Sequence, residues 1–371
     1  MASSPTSGPG PAGTGGPSAP SWWIYHGTGR PDMFAASLQE RLPPPPPWRR
    51  FGGGPDQPDP PADESETTRV LGAAANAPER PLTEHEVAVV EAVNTALLLR
   101  RPLLITGEPG VGKSSLAYRV ARELRLGRVL RWSVTSRSTL RSGLYEYDPL
   151  ARVHDISADA AAAGDTGAPA DRPIGDYLRL GPLGTALLPH RLPRVLVIDE
   201  FDKGDADLAN DLLGVLENGC YTVPELARLA SAQPEITVPT DDPGGTATIQ
   251  AGTVRCHEFP LVAITSNGER PFPPAFLRRC LPIRLRRPGH EQLADIVCAH
   301  FGGRDRAEDR ELIAEFLRRC DELGGLSIDQ LLNSVHLVSS DVRAHATSLD
   351  PNSWNRILGL VWQRLMEAGR G

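Results

Sequence analysis

Lys113 is one of only two lysines in a chain whose lysines and arginines total 39; the other is Lys203. It stands inside Gly107-Glu108-Pro109-Gly110-Val111-Gly112-Lys113-Ser114, followed by Ser115, the spacing of a loop that cradles phosphates. Each residue type has a separate job there. The glycines let the backbone approach a phosphate closely, and the loop's N–H groups and the start of the following helix present positive dipole ends to it. An ammonium is a compact point charge that reaches β- and γ-phosphates, whereas a planar guanidinium would crowd the loop. The Ser114 hydroxyl is suited to ligate Mg²⁺. The expected ligand of residues 107–115 is therefore ATP with Mg²⁺, since no separate guanine-reading motif accompanies the loop.

Val195-Leu196-Val197-Ile198-Asp199-Glu200 runs four apolar residues into two carboxylates and resembles a Walker B motif. Asp199 is expected to hold Mg²⁺ through its water shell and Glu200 to polarise the attacking water as general base. An Asp-Glu pair after a strand also serves as a plain helix cap, and its coexistence with the loop favours the chemical role. Asn267, in Ala263-Ile264-Thr265-Ser266-Asn267-Gly268, offers a donor and an acceptor to orient the lytic water, with an Asn-Gly turn as the structural alternative. Arg278 and Arg279 precede a short apolar run, and one of them could project into a neighbouring subunit's site to stabilise charge on the transferring phosphoryl group. Lys203 either pairs with Asp202 or Asp205 at a helix start or meets a neighbouring subunit; the sequence leaves both open.

These groups need a frame that brings distant positions to one edge. Leu103–Thr106, Val129–Val134, Val195–Ile198 and Leu261–Thr265 are short apolar runs of the kind buried on both faces of a parallel sheet. Thr83-x-x-Glu86 is a capping box that opens a helix over about 84–99, and Leu116, Val120 and Leu124 share one face of a helix over 114–126. Strand, loop and helix in that order are the context a phosphate loop requires. Residues 157–173, rich in Ala, Gly, Asp and Pro, read as a poorly ordered insertion. Beyond Pro288 the periodicity is helical, with helices near 290–301, 309–323, 327–339 and 353–367. The expected fold is α/β, a P-loop NTPase with a parallel sheet flanked by helices, followed by a small all-helical lid domain.

Composition sets the outer bounds. Of the 371 residues, 36 are Gly and 36 Pro, and their concentration in residues 1–67 predicts a largely disordered leader with a folded part from about 68. Within it, Trp22-Trp23-Ile24-Tyr25-His26-Gly27-Thr28-Gly29 and the polyproline stretch from Leu42 to Trp48 read as docking segments for a neighbour or for the chain's own core. A net charge of -7 makes nucleic acid a poor default partner. Five widely spaced cysteines without a C-x-x-C pair fit a reduced cytoplasmic setting, and no apolar run approaches a membrane span. The expected divisions are 1–67, an α/β domain over 68–287, and a lid over 288–371.

Taken in order, the loop, Asp199-Glu200, Asn267, Arg278-Arg279 and the helical tail resemble an AAA+ ATPase over about 68 to 367. The stretches Leu144-Tyr145-Glu146-Tyr147-Asp148, Asp199-Glu200-Phe201-Asp202-Lys203 and Asn210-Asp211-Leu212-Leu213 resemble its MoxR-type branch. The resemblance implies a hexameric ring with ATP between subunits, Asn267 as sensor 1, a trans-acting arginine at Arg278 or Arg279, and a partner with a von Willebrand factor A domain. With its Trp/Pro-rich leader, the chain is similar to ATPases of bacterial conflict systems that pair such an ATPase with that partner and an effector. One departure stands out: where the family often has a sensor 2 arginine, this chain reads Gly324-Gly325-Leu326-Ser327-Ile328-Asp329, so either the lid lacks its usual cation toward the γ-phosphate, or another arginine such as Arg343 substitutes. The function implied is ATP hydrolysis by an oligomer that remodels or activates a protein. An ATP-gated switch with little turnover, or a nucleic-acid-stimulated NTPase, are the alternatives.

Overall fold

Short runs of Val, Leu and Ile have no polar face to give to water, so they settle where both faces of a sheet are covered. The computed structural model describes residues 20–31, 36–54, 57–76, 80–163, 172–303, 306–323, 325–340, 342–350 and 352–363. In chain order its strands are β1 (Leu103–Thr106), β2 (Leu130–Ser133), β3 (Tyr145–Tyr147), β4 (Leu178–Leu180), β5 (Val195–Asp199), β6 (Cys220–Thr222), β7 (Glu235–Pro239), β8 (Thr246–Gln250), β9 (Thr253–Arg255), β10 (Leu261–Ser266) and β11 (Leu281–Arg284).

The central sheet is parallel, in the order β11-β1-β10-β5-β2. Every residue of β5 and β10 is buried. Alternation sends Val195 and Val197 to one face, where they pack with Val93, Ala117 and Val120 of helices Glu84–Leu99 and Ser115–Leu124. Leu196 and Ile198 face the other way, against Leu208 and Leu212 of helix Ala206–Asn218. Because β1, β5 and β10 run the same way, the residues that follow each of them emerge at one edge.

The sequence reading overlooks a second, antiparallel sheet in the order β6-β9-β8-β7 and the hairpin β3–β4. Its signal was present in the period-2 burial of Ile236/Val238 and Ala247/Ile249, hidden by the Gly, Pro and Asp that join the strands. The loop joining β7 and β8 is tied to the main sheet by a buried fork: Arg194 donates to both oxygens of Asp242 at 2.7 and 2.9 Å, and Arg128 bonds the adjacent Asp241 at 2.8 Å. Arg194 is 1% exposed. Removing one member leaves a buried charge without its partner, so Arg194→Met is expected to lower unfolding free energy by about 3–5 kcal/mol. Chemical denaturation would show it, and the double change with Asp242→Leu should recover part of the loss.

Two expectations of disorder need correction. Within the leader, Ile24, Tyr25 and Leu38 are buried in the main core. Arg49 donates to the carbonyls of Arg100 and Leu216 and lies over the rings of Phe51 and Phe259. The Gly53 N–H bonds the Cys256 carbonyl at 3.0 Å. Chain rich in Pro and Gly cannot fold alone, but it can lie as a belt on a surface already built, where a few apolar and aromatic anchors offset its ordering entropy. Trp22 and Trp48 are exceptions, 44% and 77% exposed. Within the supposed insertion, residues 157–163 continue the helix Pro149–Ala163; the rest up to 171 lies outside the described residues.

Beyond β11, helices His290–His300, Ala307–Leu323, Ile328–Ser339, Val342–Leu349 and Ser353–Val361 gather around a core of their own containing Leu293, Phe316, Leu331, Val335 and Trp354. The helix Val342–Leu349 was not expected from periodicity, and the expected end of the last helix falls outside the described residues. Among the described residues no helix is long and apolar enough to cross a membrane.

Candidate functional site

The edge where β1, β5 and β10 end collects the residues singled out from the sequence. β1 delivers the loop 107–114, and helix Ser115–Leu124 begins directly after it. Lys113 is 9% exposed, and its Nζ donates to Asn267 Oδ1 at 2.6 Å and to the carbonyls of Gly107 and Glu108 at 2.9 Å. Burial pulls its ammonium below the usual lysine range, opposed by the carboxylates of Asp202, Asp199 and Glu200. Ser114 Oγ donates to Asp199 Oδ1 at 2.7 Å. Glu108, at the loop's outer rim, is bridged to Arg287 at 2.7 Å.

Gly110 has φ +77°, which an L side chain rarely adopts, and a Cβ on it would come within 2.4 Å of the Ser327 Cβ. Ser327 caps the lid helix Ile328–Ser339, and the Ile328 N–H reaches the Gly110 carbonyl at 3.3 Å. The lid therefore touches the phosphate loop directly, backbone to backbone.

Asp199 ends β5 as the acceptor of three bonds, from Ser114, from Thr265 Oγ1 at 2.7 Å and from Arg131 at 2.5 Å. Burial works to raise its pKa, but those three donors outweigh it and hold the carboxyl below the ordinary range. Glu200 follows in the left-handed region, φ +56°, its N–H held by Thr265 Oγ1 at 2.9 Å. Its carboxylate is half exposed and meets Lys203 Nζ at 2.8 Å. That settles Lys203's neighbour within the chain as Glu200 rather than Asp202 or Asp205. Asp202 is instead buried and accepts the N–H groups of Asn267 and Glu269, both at 2.9 Å, which fixes the turn carrying Asn267.

Thr265 and Arg131 are the groups that sequence reasoning missed. Thr265 was visible as a polar residue closing an apolar strand two positions before Asn267. Nothing local marks Arg131, because its partner is set by the pairing of β2 with β5.

One cleft of about 1220 Å³ is walled by loop residues 109–115, Arg131, Asp199, Glu200, Thr265 and Asn267, by lid residues including Gln292, Ile296 and Asp329, and by Tyr25–Arg30. A buried ammonium, a ring of loop N–H groups and a hydroxyl–carboxylate pair in one cleft are the fittings of a nucleoside triphosphate site. Residues 102–280 match the profile of the AAA domain, dynein-related subfamily. That match takes in somewhat under half of the chain. The parallel sheet with helices on both faces and a phosphate loop after β1 is a P-loop NTPase fold. Among solved structures the chain is similar to PCH-2 of C. elegans, at 14% identity and TM-score 0.39 over 82% of this chain and 76% of that one. It is also similar to NtrX from Brucella abortus in complex with ADP, at 14% identity and TM-score 0.34 over 70% of this chain, which spans 50% of that one. No curated protein matches the chain as a relative.

Two of the expected arginines sit elsewhere. Arg278 and Arg279 precede β11, at the sheet edge opposite the phosphate loop. Arg279 bonds Glu217 at 2.5 Å, Arg278 is exposed, and the backbone carbonyls of both are held by Arg101. Arg343 lies over the Trp354 ring, 6.0 Å from its centroid, and does not line the cleft; Asp329 does.

Proposed function

We propose that this protein binds and hydrolyses MgATP as an oligomeric AAA+ ATPase that remodels or activates a protein partner. The observation that carries the reading is the bonded set Lys113–Asn267 and Ser114–Asp199 at the mouth of three parallel strands, with Glu200 beside it. In this reading Gly107–Ser115 hold the phosphates, Lys113 takes the β- and γ-phosphate charge, Glu200 draws a proton from the attacking water, and Asn267 orients that water. The oxygen donors fit magnesium, which keeps most of its waters and takes few protein ligands: Ser114 Oγ and Asp199 would hold it. When bound it neutralises charge on the β- and γ-phosphate oxygens.

Members of the AAA class typically form oligomeric rings, and the position of Arg278 and Arg279 across the sheet from the chain's own phosphate loop favours their action on a neighbour. Subunit mixing tests it. Subunits carrying Arg278→Ala or Arg279→Ala are expected to be slow alone, as are Glu200→Gln subunits, while a one-to-one mixture recovers up to about a quarter of normal turnover, since one interface in four then holds both intact groups. Absence of recovery with both arginine variants would remove the trans assignment.

The α/β division at 68–287, the lid at 288–371, a hexamer, cytoplasmic residence, the MoxR-type branch and a partner with a von Willebrand factor A domain belong to the same reading. The branch, and the hexamer and partner it implies, are supported by the resemblance of residues 144–148, 199–203 and 210–213. A pull-down with Glu200→Gln in ATP, which prolongs the bound state, tests the partner. A second reading, an ATP-gated switch with little turnover, is favoured by Asp329 standing in the cleft where a lid cation is expected. A turnover near zero that stays flat with protein concentration would select it. Hydrolysis stimulated by DNA or RNA would instead revive the nucleic-acid alternative.

A further inference from the structure

The segment Tyr25–Arg30 lies some seventy residues ahead of the region that matches the AAA domain, yet it forms part of the wall of the same cleft. It is held there by two buried polar side chains. Glu123, 2% exposed on the helix that springs from the phosphate loop, accepts the N–H groups of His26, Thr28 and Gly29 at 2.5, 2.7 and 3.2 Å and the Thr28 hydroxyl at 2.8 Å. Asn94, fully buried, accepts the N–H groups of Ile24 and Tyr25 at 2.7 and 2.9 Å and returns a bond to the Tyr25 carbonyl. Arg119 donates to the Gly27 carbonyl at 2.8 Å. Gly27 has φ +75°, and a Cβ there would stand 2.7 Å from Val90 Cγ2.

Position and chemistry indicate what this wall faces. Arg119 and Glu123 lie four and eight residues beyond Ser115, so the segment runs alongside the helix about 6–12 Å from the phosphate end. A nucleotide held by its phosphates at that end would reach the segment by extending along the helix, within the same cleft. Four arginines of the wall are committed: Arg119 to Gly27, Arg122 to the carbonyls of Thr67 and Gly72, Arg80 to Glu86 and Asp295, and Arg69 to Glu66. Toward the cleft the wall offers backbone of Gly27–Gly29 and the side chains of Leu82, Val89 and Ile296, with the rings of His26, His85 and His300 among them. Such a wall suits a flat uncharged ring rather than another phosphate.

We propose that residues 25–30 form the nucleoside seat of the site, clasping the base and ribose of the bound nucleotide between the N-terminal belt and the lid. The proposal rests on the nucleotide reading above. It makes the belt a working part of the ATP site, folded onto the helix that carries the phosphate loop.

Amide hydrogen exchange on the full chain tests it without a mutation. ADP is expected to slow exchange at residues 26–30 and in the phosphate loop, whereas inorganic tripolyphosphate slows the phosphate loop alone. A matched variant adds affinity: Gly27→Val should weaken ADP at least about tenfold while leaving tripolyphosphate unchanged, the equivalent of losing part of one buried ring contact. Protection of the phosphate loop by ADP with none at 26–30, or equal weakening of both ligands in a Gly27→Val protein whose melting matches the parent, would overturn the seat and leave the site's function standing. No protection anywhere by either ligand would overturn the function itself.

Discussion

Glu200→Gln is expected to lower ATP turnover by at least about 100-fold while leaving MgATP affinity within a few-fold, because loss of a general base removes a proton acceptor and not a phosphate contact. The structure makes the change unusually clean. Glu200 is positioned by its backbone, through the Thr265 hydroxyl and a left-handed φ, so the amide inherits the same place. What it loses is the charge facing Lys203, an exposed pair that contributes little to folding. Single-turnover hydrolysis beside equilibrium binding of a fluorescent ATP separates the two effects. Unchanged turnover would take the base assignment from Glu200, and a parallel collapse of affinity would show that the residue binds rather than reacts.

Lys113→Ala should abolish measurable binding of ATP. The ammonium sits where three acceptors converge, Asn267 Oδ1 and the carbonyls of Gly107 and Glu108, so truncation removes the charge that phosphates need and leaves those acceptors without their donor. Isothermal titration against ADP and ATP reads it directly. Normal affinity in a folded Lys113→Ala protein would refute the phosphate-loop reading, and with it every role assigned around the cleft. Arginine at the same position is the informative companion: it keeps the charge but is bulkier than the space, so it should bind poorly as well.

How much of this was readable in the residues follows from the range of the forces involved. The phosphate loop, β1, the capped helix Glu84–Leu99 and β5 with its two carboxylates are specified locally, by spacing, capping and apolar runs, and the structure has them where the sequence puts them. Asn267 and Lys113 were named separately, and their 2.6 Å bond follows from β1 and β10 being neighbours in the sheet. Arg131 and Thr265 escaped because their meaning comes from strand order, which no short window contains. The belt was legible only as docking segments, for a neighbour or for the chain's own core. Pro/Gly composition correctly says that residues 20–63 have no core of their own, but it is silent on whether Asn94, Glu123 and the Phe259 ring elsewhere in the chain offer them one.

The scarcity of lysine has a practical side. Of the chain's two side-chain amines, Lys113 is buried in the cleft under its acceptors, and Lys203 is bonded to Glu200, which lines that cleft. An amine-directed acylating dye would thus find Lys203 as its accessible side-chain target, with no scatter over the surface to subtract. A reporter attached there sits one ion pair away from the carboxylate proposed to start hydrolysis, so the protein's composition supplies a ready-made optical probe of its own chemical step.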